Sequence, residues 1–330
     1  MRNISISIIL PVYNGAWCIR KAIESVRLQK GDWELIVVDD GSTDKTDAIV
    51  RSYADRRIRL LESPGKGVTS ARLYGTQNAV GEFVFFMDAD DDLPEGIINR
   101  MEKICHQNPK CDVVVSDIAH VSSLGQRYIQ KYATDVSTGL KLFDWIIDNR
   151  TGFIWGKAIR RDLMLKLPLV PKDVRFCEDY VQMLQISLLA GEIKHAGIVG
   201  YNYIQHKNSV CNRRKTRYDY AMQFYTLSET LYNLIHIDVL PLNGEGLSPI
   251  IRIKVMFLFY MRLYFAVTGE CKDTKGLKKV YDKWLADESL RIDPLFSHRR
   301  RRQCQLIRLL APLFSAIYVP LLRYKYKRIL

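Results

Sequence analysis

Residues 34–44 read Glu34-Leu35-Ile36-Val37-Val38-Asp39-Asp40-Gly41-Ser42-Thr43-Asp44, and the fold follows from how this stretch is read. Glu34–Val38 is a nearly continuous apolar, β-branched run, the pattern of a strand buried on both faces of a parallel sheet. It stops at two aspartates and a glycine, where Ser42 or Thr43 is placed to cap a helix running to about Asp55. Working outward, the same alternation repeats. Ile4–Val12 reads as a strand, Ala16–Gln29 as a helix with Ile19, Ala22, Ile23 and Val26 on one face, and Ile58–Leu61 as a strand. Gly65-Lys66-Gly67 opens a helix through Ala79, Glu82–Met87 is a fourth strand, Pro94 starts a helix to about Gln107, and Asp112–Ser116 is a further strand. Strand and helix in turn at this spacing predict an α/β fold with a mostly parallel sheet flanked by helices. Ligands of such sheets bind at the carboxyl ends of the strands, and three of those ends carry the unusual polar residues.

The chain has 330 residues, 48% hydrophobic and 26% charged, which excludes a disordered chain. Charge is unevenly spread. Residues 1–150 hold 19 Lys/Arg against 21 Asp/Glu, while residues 151–330 hold 30 against 15. The basic half predicts an anionic partner. Seven cysteines without any C-x-x-C pair read as free thiols in a reducing compartment. The apolar run at the N-terminus is too short for a signal-peptide core, and no stretch of 18 uncharged apolar residues predicts a spanning helix. The division expected is residues 1–212 as the nucleotide-binding and catalytic part and 213–330 as a helical, basic C-terminal region. Leu140–Ile147 and Tyr180–Leu189 read as helices within the less regular middle.

Asp88, Asp90, Asp91 and Asp92 crowd five positions at a strand end. Carboxylates this close repel unless protons or a cation neutralise them. Their oxygens suit Mg²⁺ or Mn²⁺, with substrate phosphates completing the shell. The plainer alternative is an acidic turn with Asp92 capping the Pro94 helix. At the end of the second strand, Asp39 or Asp40 is positioned to accept hydrogen bonds from a nucleobase or ribose; the alternative is an Asp/Gly/Ser turn. Glu178 and Asp179 precede a helix among apolar and aromatic residues, where a general base finds its raised pKa, or where two acids simply complement a helix dipole. His206, and Arg213 and Arg214 after it, are candidate diphosphate contacts. Gly65-Lys66-Gly67-Val68-Thr69-Ser70 lacks the third glycine of a dinucleotide fingerprint, and no P-loop occurs.

Taken together, Ser7–Asn14, Val37–Asp44, Gly67–Arg72, Asp88–Asp91 and Glu178-Asp179 resemble, in order, the motifs of family 2 glycosyltransferases. The resemblance is dense over about 3–125 and thinner to about 210. It implies the GT-A fold, a Rossmann-like nucleotide-sugar-binding domain, and an inverting, metal-dependent transfer from a UDP-sugar to a glycan or lipid-linked acceptor in surface-polysaccharide synthesis. By the same resemblance Pro11, Tyr13 and Asp40 hold the uridine with Asp39 beside them, and Arg72 lies near the nucleotide. Asp88 and Asp90 form the D-x-D motif that meets ribose, diphosphate and cation. Asp179 is the base, with Glu178 its neighbour and rival, and Trp155 and Lys157 line the donor or acceptor pocket. Ala71-Arg72-Leu73-Tyr74-Gly75 departs from the family's usual Ala-Arg-Asn-x-Gly. The competing expectations are a silent nucleotide-sugar-binding scaffold and a sugar nucleotidyltransferase.

Residues 297–330 combine Arg299–Arg302, an apolar face of Leu306, Leu310, Leu313, Phe314, Ile317 and Leu321, and a basic end at Arg323, Lys325, Lys327 and Arg328. A basic amphipathic helix of this kind lies in the interface of an anionic membrane; the alternative is a helix packed on the enzyme's own core. The expected location is cytoplasmic, peripheral on the inner face of the plasma membrane. No nucleic-acid recognition motif accompanies the charge, so no nucleic-acid partner is expected.

Overall fold

The computed structural model describes residues 5–65, 67–149, 152–167, 170 and 178–206. All of them belong to one of the chain's two compact units, the one formed by Met1–Lys172 with Glu178–Arg213. The domain division at 212, Arg213, Arg214 and the tail over 297–330 lie outside the described residues.

The elements run β1 (Ile6–Val12), α1 (Ile19–Arg27), β2 (Trp33–Asp39), α2 (Thr46–Arg51), β3 (Ile58–Glu62), α3 (Val68–Asn78), β4 (Phe83–Phe86) and α4 (Ile97–Gln107). They continue as β5 (Cys111–Val121), β6 (Arg127–Gln130), α5 (Gly139–Asn149), β7 (Lys157–Arg160), α6 (Arg161–Leu165), α7 (Glu178–Leu189) and β8 (Glu192–Ile204). The sheet order is β3-β2-β1-β4-β7-β5-β6, with β8 also paired to β5. β1 through β4 are mutually parallel, β7 runs antiparallel between β4 and β5, and β8 is parallel to β5. This is the mostly parallel, helix-flanked sheet that the alternation predicts, in the Rossmann-like GT-A arrangement.

All seven residues of β1 and all seven of β2 are buried. Burying each aliphatic side chain fully contributes about 1.5–3 kcal/mol, so these central strands anchor the sheet. α1 buries Ile19, Ala22, Ile23 and Val26, the face its periodicity marks. α3 approaches the sheet closely at Gly75, where a β-carbon would stand 2.6 Å from Ile9 and 3.1 Å from Val38. That approach carries Arg72, one turn earlier, down to the sheet's carboxyl edge. The register sets Val12 beside Asp39, Asp39 beside Glu62 and Ile9 beside Phe86. The loops after β1, β2, β3 and β4 therefore emerge side by side.

Three local expectations are corrected. α2 begins only at Thr46 and ends at Arg51, and neither Ser42 nor Thr43 caps it. Those two residues bond Asn14 across the loops, while Asp44 Oδ1 receives the Thr46 N–H. α4 begins at Ile97 behind Gly96, whose φ of 81° is the left-handed turn that glycine supplies. Asp92 is thus not its cap. β7, four residues from a stretch that reads as irregular, completes the sheet between β4 and β5.

Candidate active site

The loops after β1 and β2 are laced together. Asn14 donates its N–H to Ser42 Oγ and accepts from the Thr43 N–H, and the Gly15 N–H reaches Thr46 Oγ1. Asn14 has φ 51°, a left-handed conformation that Asn tolerates better than most residues. The result holds Pro11 within the sheet and turns Tyr13 outward, 62% exposed. Asp39 is buried, its Oδ1 accepting from the Ser42 N–H at 2.9 Å. Asp40 donates its own N–H to Val12 O, and its Oδ2 accepts from the Gly67 N–H at the start of α3. The other oxygen, Asp40 Oδ1, is buried with no hydrogen-bond partner. An unmet buried acceptor is costly, and a ligand N–H or hydroxyl would satisfy it.

Arg72 is the centre of the site. Its side chain is 3% exposed, and it is ion-paired through Nη1 to Asp179 and through Nη2, at 3.1 Å, to Asp88. One guanidinium, planar and fork-shaped, thereby joins the strand-end loop after β4 to the first turn of α7. The Asp179 and Asp88 carboxylates hold the Arg72 proton firmly against the opposing effect of burial. Glu178 stands beside Asp179; burial and then that neighbour's charge push its carboxyl up to about 7, with Arg72 opposing. Burial likewise pushes Asp88 up, against the pull of Arg72.

The four crowded aspartates divide into two pairs. Asp91 is 1% exposed, and its carboxylate accepts from Tyr201 Oη at 2.7 Å and from the Ile204 N–H at 2.7 Å. Tyr201 Oη in turn accepts the Asp88 N–H. Asp92 accepts from Asn202 Nδ2, pairs with Lys21 at 2.6 Å and exchanges backbone bonds with Asn202. Both side chains thus fasten the acidic loop to β8. Burial drives the Asp91 carboxyl up to about 9, with the Asp88 charge adding to it. The side chains of Asp88 and Asp90 make no such bond to β8 among the described residues. Asp90's carboxylate has no hydrogen bond or ion pair among the described residues, and its carbonyl lies 3.2 Å from His206 Nε2. His206 meets Trp17 edge-on at 5.0 Å.

Among the described residues no three His, Cys, Asp or Glu side chains gather into a metal cage. The donor set fits a hard cation bound in a different way. Mg²⁺ typically takes one or two carboxylates and completes its shell with substrate phosphate and water. Asp90, with Asp88 beside it, supplies that number of hard oxygens.

Trp155 and Lys157 stand inside the protein, 3% and 0% exposed. The Lys157 ammonium donates to the carbonyls of Phe153 and Trp155 and sits 4.9 Å over the Tyr132 ring. Burial lowers it to about 7, with Asp179 opposing. Trp155 stacks on Tyr201 at 4.6 Å. The structure therefore brings Asp88, Asp179 and Arg72 into contact, sets Asp39 and Asp40 at the neighbouring loops, and puts Trp155 and Lys157 in the packing beneath. Tyr201 and Asp91 build the site without a local signal in the sequence. Asp91 was hidden among its neighbours, and Tyr201 showed only as half of a Tyr-x-Tyr pattern.

Residues 7–166 match glycosyl transferase family 2. The chain is 31% identical over 215 residues to the uncharacterized glycosyltransferase EpsJ of Bacillus subtilis, covering 62% of each chain. It thus spans less than two thirds of that relative's length. It is 41% identical over 93 residues to UDP-Glc:alpha-D-GlcNAc-diphosphoundecaprenol beta-1,3-glucosyltransferase WfgD of Escherichia coli, covering 28% of this chain and 37% of WfgD. The fold aligns with the crystal structure of S. aureus TarS 1–349 at a TM-score of 0.69 and 17% identity, over 99% of this chain and 92% of that one. The same TarS fragment in complex with UDP-GlcNAc aligns at 0.68 and 18%, over 98% and 92%.

Proposed function

The chain carries a glycosyl transferase family 2 domain over residues 7–166, and from that premise we propose that it is an inverting, metal-dependent transferase. In this reading it moves a sugar from a UDP-sugar to a hydroxyl of a glycan or lipid-linked acceptor. The observation that supports this most is the Arg72 clamp. It fixes Asp179, on a helix, against Asp88, on the strand-end loop. A base and a diphosphate-facing acid then share one small volume. WfgD is named for a UDP-Glc donor and a diphosphoundecaprenol-linked acceptor, and TarS was crystallised with UDP-GlcNAc; both favour the same donor and acceptor classes here.

Each residue's task follows from its chemistry. Asp40, through its unmet oxygen, accepts from the base or ribose, and Tyr13 offers an exposed ring beside it. Asp88 and Asp90 face the diphosphate, where a bound Mg²⁺ or Mn²⁺ would neutralise charge developing on the leaving group. Asp179 takes the proton of the acceptor hydroxyl as its oxygen attacks the anomeric carbon from the side opposite the diphosphate. One displacement inverts the anomeric configuration and releases UDP. Asp91, Asp92 and Tyr201 keep the acidic loop in place while charge shifts.

The test is a thermal-shift series of UDP-sugars with and without Mn²⁺, followed by product analysis. A donor that binds the folded state raises the melting temperature by mass action, and the product expected is UDP with an inverted glycoside. Release of pyrophosphate would instead make the chain a nucleotidyltransferase. Asp90→Ala is expected to lower the transfer rate about a hundredfold and to remove the Mn²⁺ dependence of donor stabilisation, the scale of a lost electrophilic contact. Unchanged Mn²⁺ dependence removes Asp90 from the cation site.

For the location, the proposal is docking at the inner leaflet through residues 297–330, where a lipid-linked acceptor resides. Among the described residues no helix is long and apolar enough to cross a membrane. Full-length protein is expected to pellet with phosphatidylserine vesicles at low salt and to release as salt rises, because screening weakens such attraction. Protein that stays in the supernatant at low salt ends the docking proposal.

A further inference from the structure

Lys157 is a fully buried cation to which the chemistry above gives no task. Taking an ammonium out of water is costly, and a methionine of nearly the same length would fill the space without that cost. The local backbone shows what the ammonium does there. Gly156 has φ 72°, a left-handed conformation that glycine supplies, and it bends the chain between Trp155 and Lys157. The lysine side chain folds back under the turn it follows. Its ammonium donates to the carbonyl two residues back, Trp155 at 3.2 Å, and to the one four back, Phe153. The Tyr132 ring, 4.9 Å away, takes the remaining side. Two carbonyls and an aromatic face thus meet the three donors that an ammonium carries.

The turn so held is pressed against the helix that carries Asp179. Gly152 is buried, and a β-carbon on it would stand 2.7 Å from the Tyr180 ring and 2.8 Å from the Tyr180 α-carbon. Glycine lets the two backbones come this close. Tyr180 follows Asp179 directly, in the first turn of α7. On its other side the turn is fixed to the sheet. The Ser116 N–H and hydroxyl both donate to Gly156 O, and Trp155 stacks on Tyr201. The first turn of α7 therefore has two holds. Arg72 takes the Asp179 carboxylate directly through Oδ1, and residues 152–156 back the helix one position later. The Asp179 charge also upholds the Lys157 charge against burial.

We infer that Lys157 is a positioning residue of the transferase: by holding residues 152–156 against Tyr180, it sets the direction in which Asp179 faces the acceptor oxygen. The role rests on the transferase reading, whereas the hold on α7 rests on these contacts alone. An ion pair at one carboxylate oxygen fixes a position but leaves the helix free to rock about it. The backbone contact at Tyr180 removes that freedom. Reaction geometry is strict, and a group displaced by about 1 Å costs up to about a hundredfold in rate. Fully enclosed, the ammonium itself is out of a substrate's reach.

The experiment compares Lys157→Met, which removes the donors, with Lys157→Gln, which keeps two N–H donors one bond shorter. Lys157→Met is expected to lower kcat about tenfold to a hundredfold while the donor KM stays within about twofold, because uniform donor binding is untouched. Lys157→Gln recovers part of the loss. Gly152→Ala pushes the turn off Tyr180 from the other side and gives the same signature. The double variant loses no more than the larger single loss, since both changes cut one connection. Hydrogen exchange on the full chain without substrates reads the hold apart from activity: amides of α7 exchange faster in Lys157→Met, and those of β1 and β2 do not. Unchanged α7 exchange, a loss shared between kcat and donor KM, equal kcat in the Met and Gln variants, or additive losses in the double variant each overturn the inference. If Lys157→Met does not fold, Lys157→Gln and Gly152→Ala carry the same comparison. Faster α7 exchange in a chain whose wild type transfers no sugar keeps the hold and removes the transferase reading. Transfer with unchanged α7 exchange removes only the hold.

Discussion

Asp179→Asn is expected to lose about a thousandfold in transfer rate, within the range of a missing general base, while its thermal midpoint stays near that of wild type. The two halves of this expectation come from the same contact. Asparagine keeps a carbonyl oxygen in reach of the Arg72 guanidinium, so the clamp between α7 and the acidic loop survives in part. What asparagine lacks is a site for the acceptor's proton. Donor binding should hold, because Asp40, Asp88 and Asp90 are untouched. Steady-state rates, donor melting shifts and product anomer on one preparation decide it. Transfer at near wild-type rate removes Asp179 as base and passes the role to Glu178. That neighbour is a real rival, since its carboxyl is pushed up to about 7, a value suited to exchanging protons near neutrality. Glu178→Gln alongside Asp179→Asn therefore assigns the role: the base is the residue whose loss flattens the acidic limb of the rate profile.

The parts of this fold that were legible in the sequence are those whose signal is local. Within β2, Leu35–Val38 is apolar without interruption, and that run becomes the middle of a strand whose seven residues are all buried. The α1 face was readable from spacing alone. The loops were readable for a different reason: Asp39-Asp40 and the Asp88–Asp92 cluster end apolar runs with consecutive acids, the mark of a chain leaving the sheet. What stayed hidden depends on partners far away in sequence. Asp91 and Asp92 look like Asp88 and Asp90, and only contact with β8, some 110 positions later, makes them struts. By the resemblance Lys157 is a pocket-lining cation. It is buried because two carbonyls and the Tyr132 ring receive it, and no pattern in Lys157–Arg160 announces that. Ser, Thr and Asp all cap helices, so the sequence alone does not place the start of α2; here Asn14, in the loop after β1, engages Ser42 and Thr43 first.

Arg72 is the least conspicuous of the decisive residues, a single charge on α3 between Ala71 and Gly75. Arg72→Leu is expected to cost about 3–5 kcal/mol of folding stability at pH 8, the penalty of stranding buried charge after one partner is removed. The guanidinium is 3% exposed, and both carboxylates it joins are partly withdrawn from water. Leucine fills much of the volume but leaves Asp88 and Asp179 facing each other, with Glu178 adjacent. Mutual repulsion then raises the Asp88 and Glu178 carboxyls in the folded state further above their values in the unfolded chain. A raised carboxyl binds more protons folded than unfolded, so its contribution is favourable at low pH and is lost as pH rises through the folded value. With wild-type Asp88 already pushed up to about 6 and Glu178 to about 7, the deficit of the variant should be smallest near pH 5 and full by pH 8. Arg72→Lys should fall between, because an ammonium is a point charge and cannot span two carboxylates with a planar fork. Urea midpoints at the two pH values measure it. A Leu variant as stable as wild type at pH 8 would show that the acids do not need this cation, and the site would then have to be organised by the acidic loop's bonds to β8 alone.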